Sequence, residues 1–444
     1  MVGTHDARQV VRWGLRHGVV RQILRRRARA GDVGSRIMFD PVVRDDPYPW
    51  YERIRAQGPL VATGLAPTTV DHALCTAILR SPDFGTAARA PSRLPTPVRL
   101  AMRAAKGGPL NPAEPPSMLA VDPPDHTRYR RLVTRAFSAR AVAALRTRVE
   151  EIAEELLDGM AARAAAGEAV DLVAEYASLL PATVIAEMLG APVAMRGQFL
   201  RWGEGAAVAL DPGLSFRDFR RGERDITALH EWMLGHFAEV RRSPGDDILS
   251  ALVRVHDEGD GLTDDELSSI AMLLLAAGFE TTVNLLGNGA ALLVAHPDQL
   301  ALLQDGTVPW AAAVDEVLRY DSPVQRTARV AQRDTEVAGL RFREGQFVIL
   351  ALGGANRDPA VFADPQRFDV TRSDADRHVS FSSGIHYCLG AGLARMEGEI
   401  GLRALIRRFP DLALAGVPRR RATRLLRGYD AMPVTLDAGV RAAG

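Results

Sequence analysis

The run Phe381-Ser-Ser-Gly384-Ile-His386-Tyr-Cys388-Leu-Gly390 constrains this chain more than any other segment. A single cysteine stands between glycines, immediately before a helical pattern running from about Gly390 to Arg408. Glycine has no Cβ, so the backbone there can pass close to a flat partner. A helix N-terminus favours negative charge, which biases a sulfur at that position toward thiolate. Backbone N–H groups after the cysteine could bond the same sulfur. A lone cysteine is more often a small buried hydrophobe; Cys75, without such surroundings, reads that way.

Around this loop the pattern is mainly α with a minor β portion. Helical periodicity covers roughly 125–136, 139–165, 173–189, 215–241, 245–256, 264–294 and 309–319. The prolines of Asp46-Pro-Tyr-Pro-Trp open another helix. Strand candidates lie near Thr327–Val330, Glu336–Val337 and Gln346–Leu350, with a strand-like stretch at 59–72. Residues 85–117, rich in Pro and Gly, read as a long irregular loop, of the kind that often serves function. No repeat or linker divides the chain. The expected organisation is a basic extension, 1–39, followed by one large domain, 40–444.

A net charge of +1 gives no reason to expect nucleic acid as a partner. With only Cys75 and Cys388, disulfides do not hold the fold, and a reducing cytoplasm is the natural compartment. No secretory signal or transmembrane anchor is expected, because the apolar stretch Ile270–Phe279 is short and runs into Glu280. Residues 1–36 carry nine arginines against two acidic residues, and Leu15, Val19 and Ile23 recur every four positions. That pattern predicts a basic helix packed on the body through its apolar stripe. Contact with an anionic membrane surface or an acidic partner is the other reading.

Further along the chain, Thr281 closes the run Ala277-Gly278-Phe279-Glu280-Thr281-Thr282 at the end of an apolar helix. Such a run is equally a polar break in a core helix. Glu316-Val-Leu-Arg319 places opposite charges at i and i+3, a spacing that usually marks an exposed pair of little energetic value. His126 and Arg130 share one helix face after Asp122-Pro-Pro-Asp125; the spacing suits an anion but is also that of a solvated face.

Taken together, the cysteine loop and these motifs resemble the cytochrome P450 family across residues 40 to 436. Features at 126, 281, 316, 329 and 388 occur in the family's order. One departure is Ser382, where most members have glycine. The resemblance implies a single haem domain, with haem b held through the thiolate of Cys388 and packed by Phe381, Gly384 and Gly390. It implies propionate contacts from His126, Arg130, Arg329 and His386. Thr281 and Glu280 would form the acid–alcohol pair that manages protons for O2. Gly278 and the threonine side chain would loosen the helix to leave room there. Glu316, Arg319 and Arg372 would form a structural network. Leu273, Ala276, Ala277, Val324, Gln325 and Thr327 would line a pocket for a lipophilic small molecule.

The implied reaction inserts one oxygen atom of O2 into an organic substrate. Two electrons would come from NAD(P)H through a separate ferredoxin and ferredoxin reductase, since the stretch after Cys388 is too short for a fused flavin domain. Arg128, Arg131 and Arg135 would steer an acidic ferredoxin. A peroxide-driven haem-thiolate enzyme or a non-enzymatic haem sensor shares the cysteine loop, but neither needs the acid–alcohol pair. A cysteine hydrolase built on Cys388 and His386 leaves the other motifs unexplained.

Overall fold

The computed structural model describes residues 2–64, 66–86, 108–257 and 262–436, with side chains from residue 8 onward. Most of the irregular loop expected at 85–117 lies outside the described residues.

The architecture is organised by the helix Asp264–Ala295. It begins with a reciprocal cap: Thr263 Oγ1 accepts from the Glu266 N–H at 3.2 Å, and Glu266 Oε2 accepts from the Thr263 N–H at 2.8 Å. Beyond that first turn the helix is apolar on all sides, so it must be enclosed. The helices Leu179–Met188, Arg196–Ala209, Phe216–Arg242 and Ala391–Arg408 pack around it. By length and composition it could cross a membrane, but its apolar stretch is 83% buried within the protein.

The small sheet pairs Thr68–Thr69, Phe347–Leu350, Thr327–Ala331 and Phe84–Gly85 in that order. Strand Thr327–Ala331 runs antiparallel to Phe347–Leu350, with Arg329 opposite Val348. The strand-like stretch at 59–72 reduces to Thr68–Thr69 and a bridge from Val61. The helix Arg196–Ala209, unexpected from sequence, carries Gly197, Gly203 and Gly205.

The N-terminal helix overturns one expectation. It runs from Val2 to Arg29 through a wider π-turn at Gly14–Gly18. Leu15, Val19 and Ile23 do not pack on the body: they are 40%, 57% and 42% exposed. The opposite face is the one that docks. Gln9 and Arg12 bond Glu223 at 2.8 and 2.6 Å, Trp13 Nε1 donates to the Leu214 carbonyl, and Arg21 donates to the Gly213 carbonyl. Leu24 is the buried apolar contact. The polar face wins because it meets a carboxylate and loop carbonyls that would otherwise be stranded away from water.

Candidate active site

The cysteine loop is closed by a hydrogen bond from the Cys388 N–H to the Phe381 carbonyl at 2.9 Å. Between them, Gly384 takes a φ of +69°, and a Cβ there would lie 2.4 Å from the Leu79 carbonyl oxygen. Ser382 takes a φ of +64°, a conformation that favours the glycine it lacks. Arg80 donates to Ser383 Oγ at 2.8 Å, and Arg395 lies over the Phe381 ring at 4.7 Å. The helix Ala391–Arg408 starts directly after Gly390.

Cys388 retains accessible surface, whereas Cys75 is buried. The surrounding protein pushes the Cys388 thiol pKa up, against the Gly390 N–H and the charges of Arg130 and Arg395. The Gly390 N–H at the helix start and the two guanidinium charges favour the thiolate against that desolvation. A bound metal cation would reverse that balance.

Thr281 Oγ1 donates to the Ala277 carbonyl one turn back, at 3.2 Å, and the helix stays unbroken. Gly278 does not open the helix ladder; it admits Ile185, whose side chain would lie 2.9 Å from an added Cβ. Glu280 is buried in an ion pair with Arg421, and Arg421 Nε also donates to the Tyr429 carbonyl at 3.0 Å. Burial raises the Glu280 pKa; Arg421 opposes this and Glu204 reinforces it. Nothing in the sequence pointed to Arg421, which comes from an arginine run in the C-terminal β-like tail. Thr282 faces elsewhere, toward Glu397, a fully enclosed carboxyl pushed up to about 8 by burial.

His126, Arg130, Arg329 and His386 bring positive charge and hydrogen-bond donors toward the loop. The His126 and His386 rings stand 4.1 Å apart. Burial, with His386 and Arg130 nearby, lowers the His126 pKa to about 4. Arg329 donates to Ala328 O at 2.8 Å, Thr327 Oγ1 at 3.2 Å and Ser382 Oγ at 3.5 Å. It has no carboxylate in ion-pair range among the described residues, and burial lowers its pKa to about 10. His386 Nε2 is buried without a hydrogen-bond partner, with Asp122 at 3.8 Å. A desolvated guanidinium and an orphaned imidazole nitrogen are the donors that an anionic cofactor edge would satisfy. These donors would suit the acidic edge of a haem, and Cys388 would hold its iron.

Glu316 and Arg319 are fully buried and paired twice, at 2.6 and 2.8 Å. Arg319 also donates to the carbonyls of Asn356, Pro365 and Arg367. Arg372 approaches Glu316 at 3.6 Å. Among the pocket residues, Leu273 and Ala276 are buried, Ala277 is exposed, and Val324 and Thr327 are half-buried. Gln325 departs from expectation: it is buried, with its amide committed to Tyr48 Oη and the Ser322 carbonyl. Alternation along an extended chain puts 325 and 327 on one side only where the strand is regular, and Gln325 precedes Thr327–Ala331. Arg128 also departs, since Glu266 and Asp125 bind it. Arg131 and Arg135 are exposed.

The cytochrome P450 family pattern matches residues 310–417. Cytochrome P450 140 of Mycobacterium tuberculosis is 48% identical over 427 residues, covering 96% of this chain and 97% of that one. The 6-deoxyerythronolide B hydroxylase of Saccharopolyspora erythraea is 46% identical over 321 residues, 71% of this chain and 77% of its own. Among solved structures, a myxobacterial cytochrome P450, CYP267B1, in complex with myristic acid is 36% identical with a TM-score of 0.79, covering 90% of this chain and 98% of that one. The chain belongs to the cytochrome P450 family and is a haem-thiolate monooxygenase.

Proposed function

We propose that this monooxygenase hydroxylates a lipophilic small molecule of moderate size in the cytoplasm. Its electrons come from NAD(P)H through a separate ferredoxin and ferredoxin reductase. Haem, when bound, supplies reductive activation of O2. Cys388 would hold its iron through the thiolate, and Arg329, His386, His126 and Arg130 would hold its propionates. Glu316, Arg319 and Arg372 tie the core segments beneath the loop.

Thr281 presents a hydroxyl that can exchange its bond to the Ala277 carbonyl for one to the reacting oxygen. Glu280, one residue earlier, can take up and release a proton, and Arg421 sets how readily its carboxyl ionises. The observation that carries this reading is the adjacency of that hydroxyl to a buried, paired carboxyl on the helix Asp264–Ala295. A peroxide-driven enzyme or a sensor has no use for such a pair.

Leu273, Ala276 and Ala277 precede Thr281, and Val324 and Thr327 precede Arg329. Small and apolar side chains there favour an apolar substrate. Relatives support the class: one is the 6-deoxyerythronolide B hydroxylase, and similar solved structures carry myristic acid or testosterone. Exposed Arg131 and Arg135 remain the candidates for steering an acidic ferredoxin.

The test is a spin-state titration of the haem-loaded protein with fatty acids, macrolactones and steroids, followed by turnover with ferredoxin and reductase. Oxygenated product that requires both proteins supports the proposal. Product formed with peroxide alone, at a comparable rate, contradicts it. Arg131→Glu/Arg135→Glu should slow reduction at low salt without altering the haem spectrum; unchanged kinetics would refute that docking face.

A further inference from the structure

We propose that the exposed ridge Val11, Leu15, Val19 and Ile23 docks this enzyme on an anionic phospholipid surface. The ridge follows from the helix geometry. Residues four apart drift by about 40° per step on a regular α-helix, and the wider π-turn at Gly14–Gly18 takes up part of that drift. The aliphatic side chains therefore form one row along the outer side, with Val11 also exposed.

This row cannot turn inward, because the opposite face is fixed. Gln9 and Arg12 on Glu223, Trp13 on Leu214 and Arg21 on Gly213 hold the helix to the body. Arg16 adds an ion pair with Glu114 at 2.7 Å.

Charge selects the occupant. Residues 8–31 contain eight arginines and no carboxylate. Arg25, Arg26, Arg27 and Arg29 are exposed at the end of the ridge and form no ion pair among the described residues. Arg8 is exposed at the other end. An apolar row flanked by guanidinium groups is what an interfacial helix presents to anionic headgroups, its long side chains reaching the phosphates while the aliphatic row enters the acyl boundary. A single convex row of aliphatic side chains suits a fluid, planar surface; a protein partner would need a groove to receive it. Attachment of this kind is peripheral and reversible, and it places the enzyme beside the phase into which lipophilic molecules partition.

The test uses the full-length haem-loaded protein and sedimentation with phosphatidylcholine vesicles, with and without phosphatidylglycerol. The wild type should sediment with the phosphatidylglycerol vesicles alone and be released by salt. Leu15→Gln/Val19→Gln/Ile23→Gln and Arg25→Gln/Arg26→Gln/Arg27→Gln/Arg29→Gln should each lower the bound fraction at least about tenfold. Both should keep the wild-type carbon monoxide spectrum, and the salt titration of the wild type stands if one variant fails to fold. Wild-type protein left in the supernatant overturns the proposal, as does full binding by the Leu15/Val19/Ile23 variant. Slower reduction of the Arg25–Arg29 variant by an acidic ferredoxin, with no vesicle binding by the wild type, would assign the face to a protein partner and also overturn it.

Discussion

Glu280 and Arg421 form an ion pair almost wholly withdrawn from water, one residue from the Thr281 hydroxyl. The pair joins the central helix to the C-terminal tail. Replacing one partner leaves the other buried and unmatched, which costs about 3–5 kcal/mol, whereas replacing both costs less. Arg421→Met should therefore lower the denaturant midpoint strongly, and Arg421→Met/Glu280→Gln should recover part of the loss. A double variant no more stable than the single one contradicts the pairing. Without Arg421 the Glu280 carboxyl should rise further and hold its proton to higher pH, slowing turnover in proportion.

Arg329 is a buried cation without a carboxylate of its own among the described residues, and burial already lowers its pKa to about 10. In the protein without cofactor, Arg329→Met should cost less than about 1 kcal/mol, because a poorly compensated charge is removed. With cofactor the sign reverses, since an anionic edge loses its guanidinium. Thermal unfolding of cofactor-free protein and haem transfer to an acceptor globin measure the two arms. Equal haem retention by the variant would remove Arg329 from the propionate set.

At Ser382 the backbone is left-handed, with φ of +64°. A non-glycine residue pays about 1–2 kcal/mol there, partly offset by the entropy glycine loses on folding. Ser382→Gly should stabilise the protein by about 0.5–1 kcal/mol, and Ser382→Ala should not. The comparison is made by equilibrium denaturation. Destabilisation by glycine would mean that the hydroxyl near Arg329 outweighs the strain.

His17 anchors the N-terminal helix, its Nδ1 accepting from the Leu214 N–H at 3.4 Å. Burial, then Arg16 and Arg424, lowers its pKa from 6.5 to about 4. The folded state therefore binds fewer protons than the unfolded state between those values, and stability falls as pH drops through that window. Hydrogen exchange, corrected for intrinsic rates, should show protection of residues 9–24 lost between pH 6.5 and 4, and His17→Gln should flatten the dependence. Protection independent of pH would exclude His17 as the titrating group.

Local chemistry was legible in the sequence. The glycines and cysteine of 381–390 and the apolar helix expected over 264–294 are each specified by residues close together in the chain. What escaped depends on distant contacts. Helix Arg196–Ala209 contains three glycines that weaken its intrinsic preference, yet packing demands two of them. A Cβ at Gly203 would lie 2.0 Å from the Phe279 ring, and one at Gly205 would lie 2.5 Å from Asp225. Arg421 stands 141 residues from its partner Glu280, and no spacing rule reaches that far. The N-terminal stripe misled because periodicity identifies an apolar face but not whether the body covers it. Gln325 misled for a related reason: a position beside a strand does not fix which side the side chain takes.

The most direct test of the thiolate centre is the absorption spectrum of the reduced protein with carbon monoxide, compared between wild type and Cys388→Ser. A strongly red-shifted Soret band in the wild type, lost in the variant, is the predicted result. A Soret band at the position given by histidine-ligated haem, unchanged in Cys388→Ser, would contradict the assignment of Cys388 as the axial ligand.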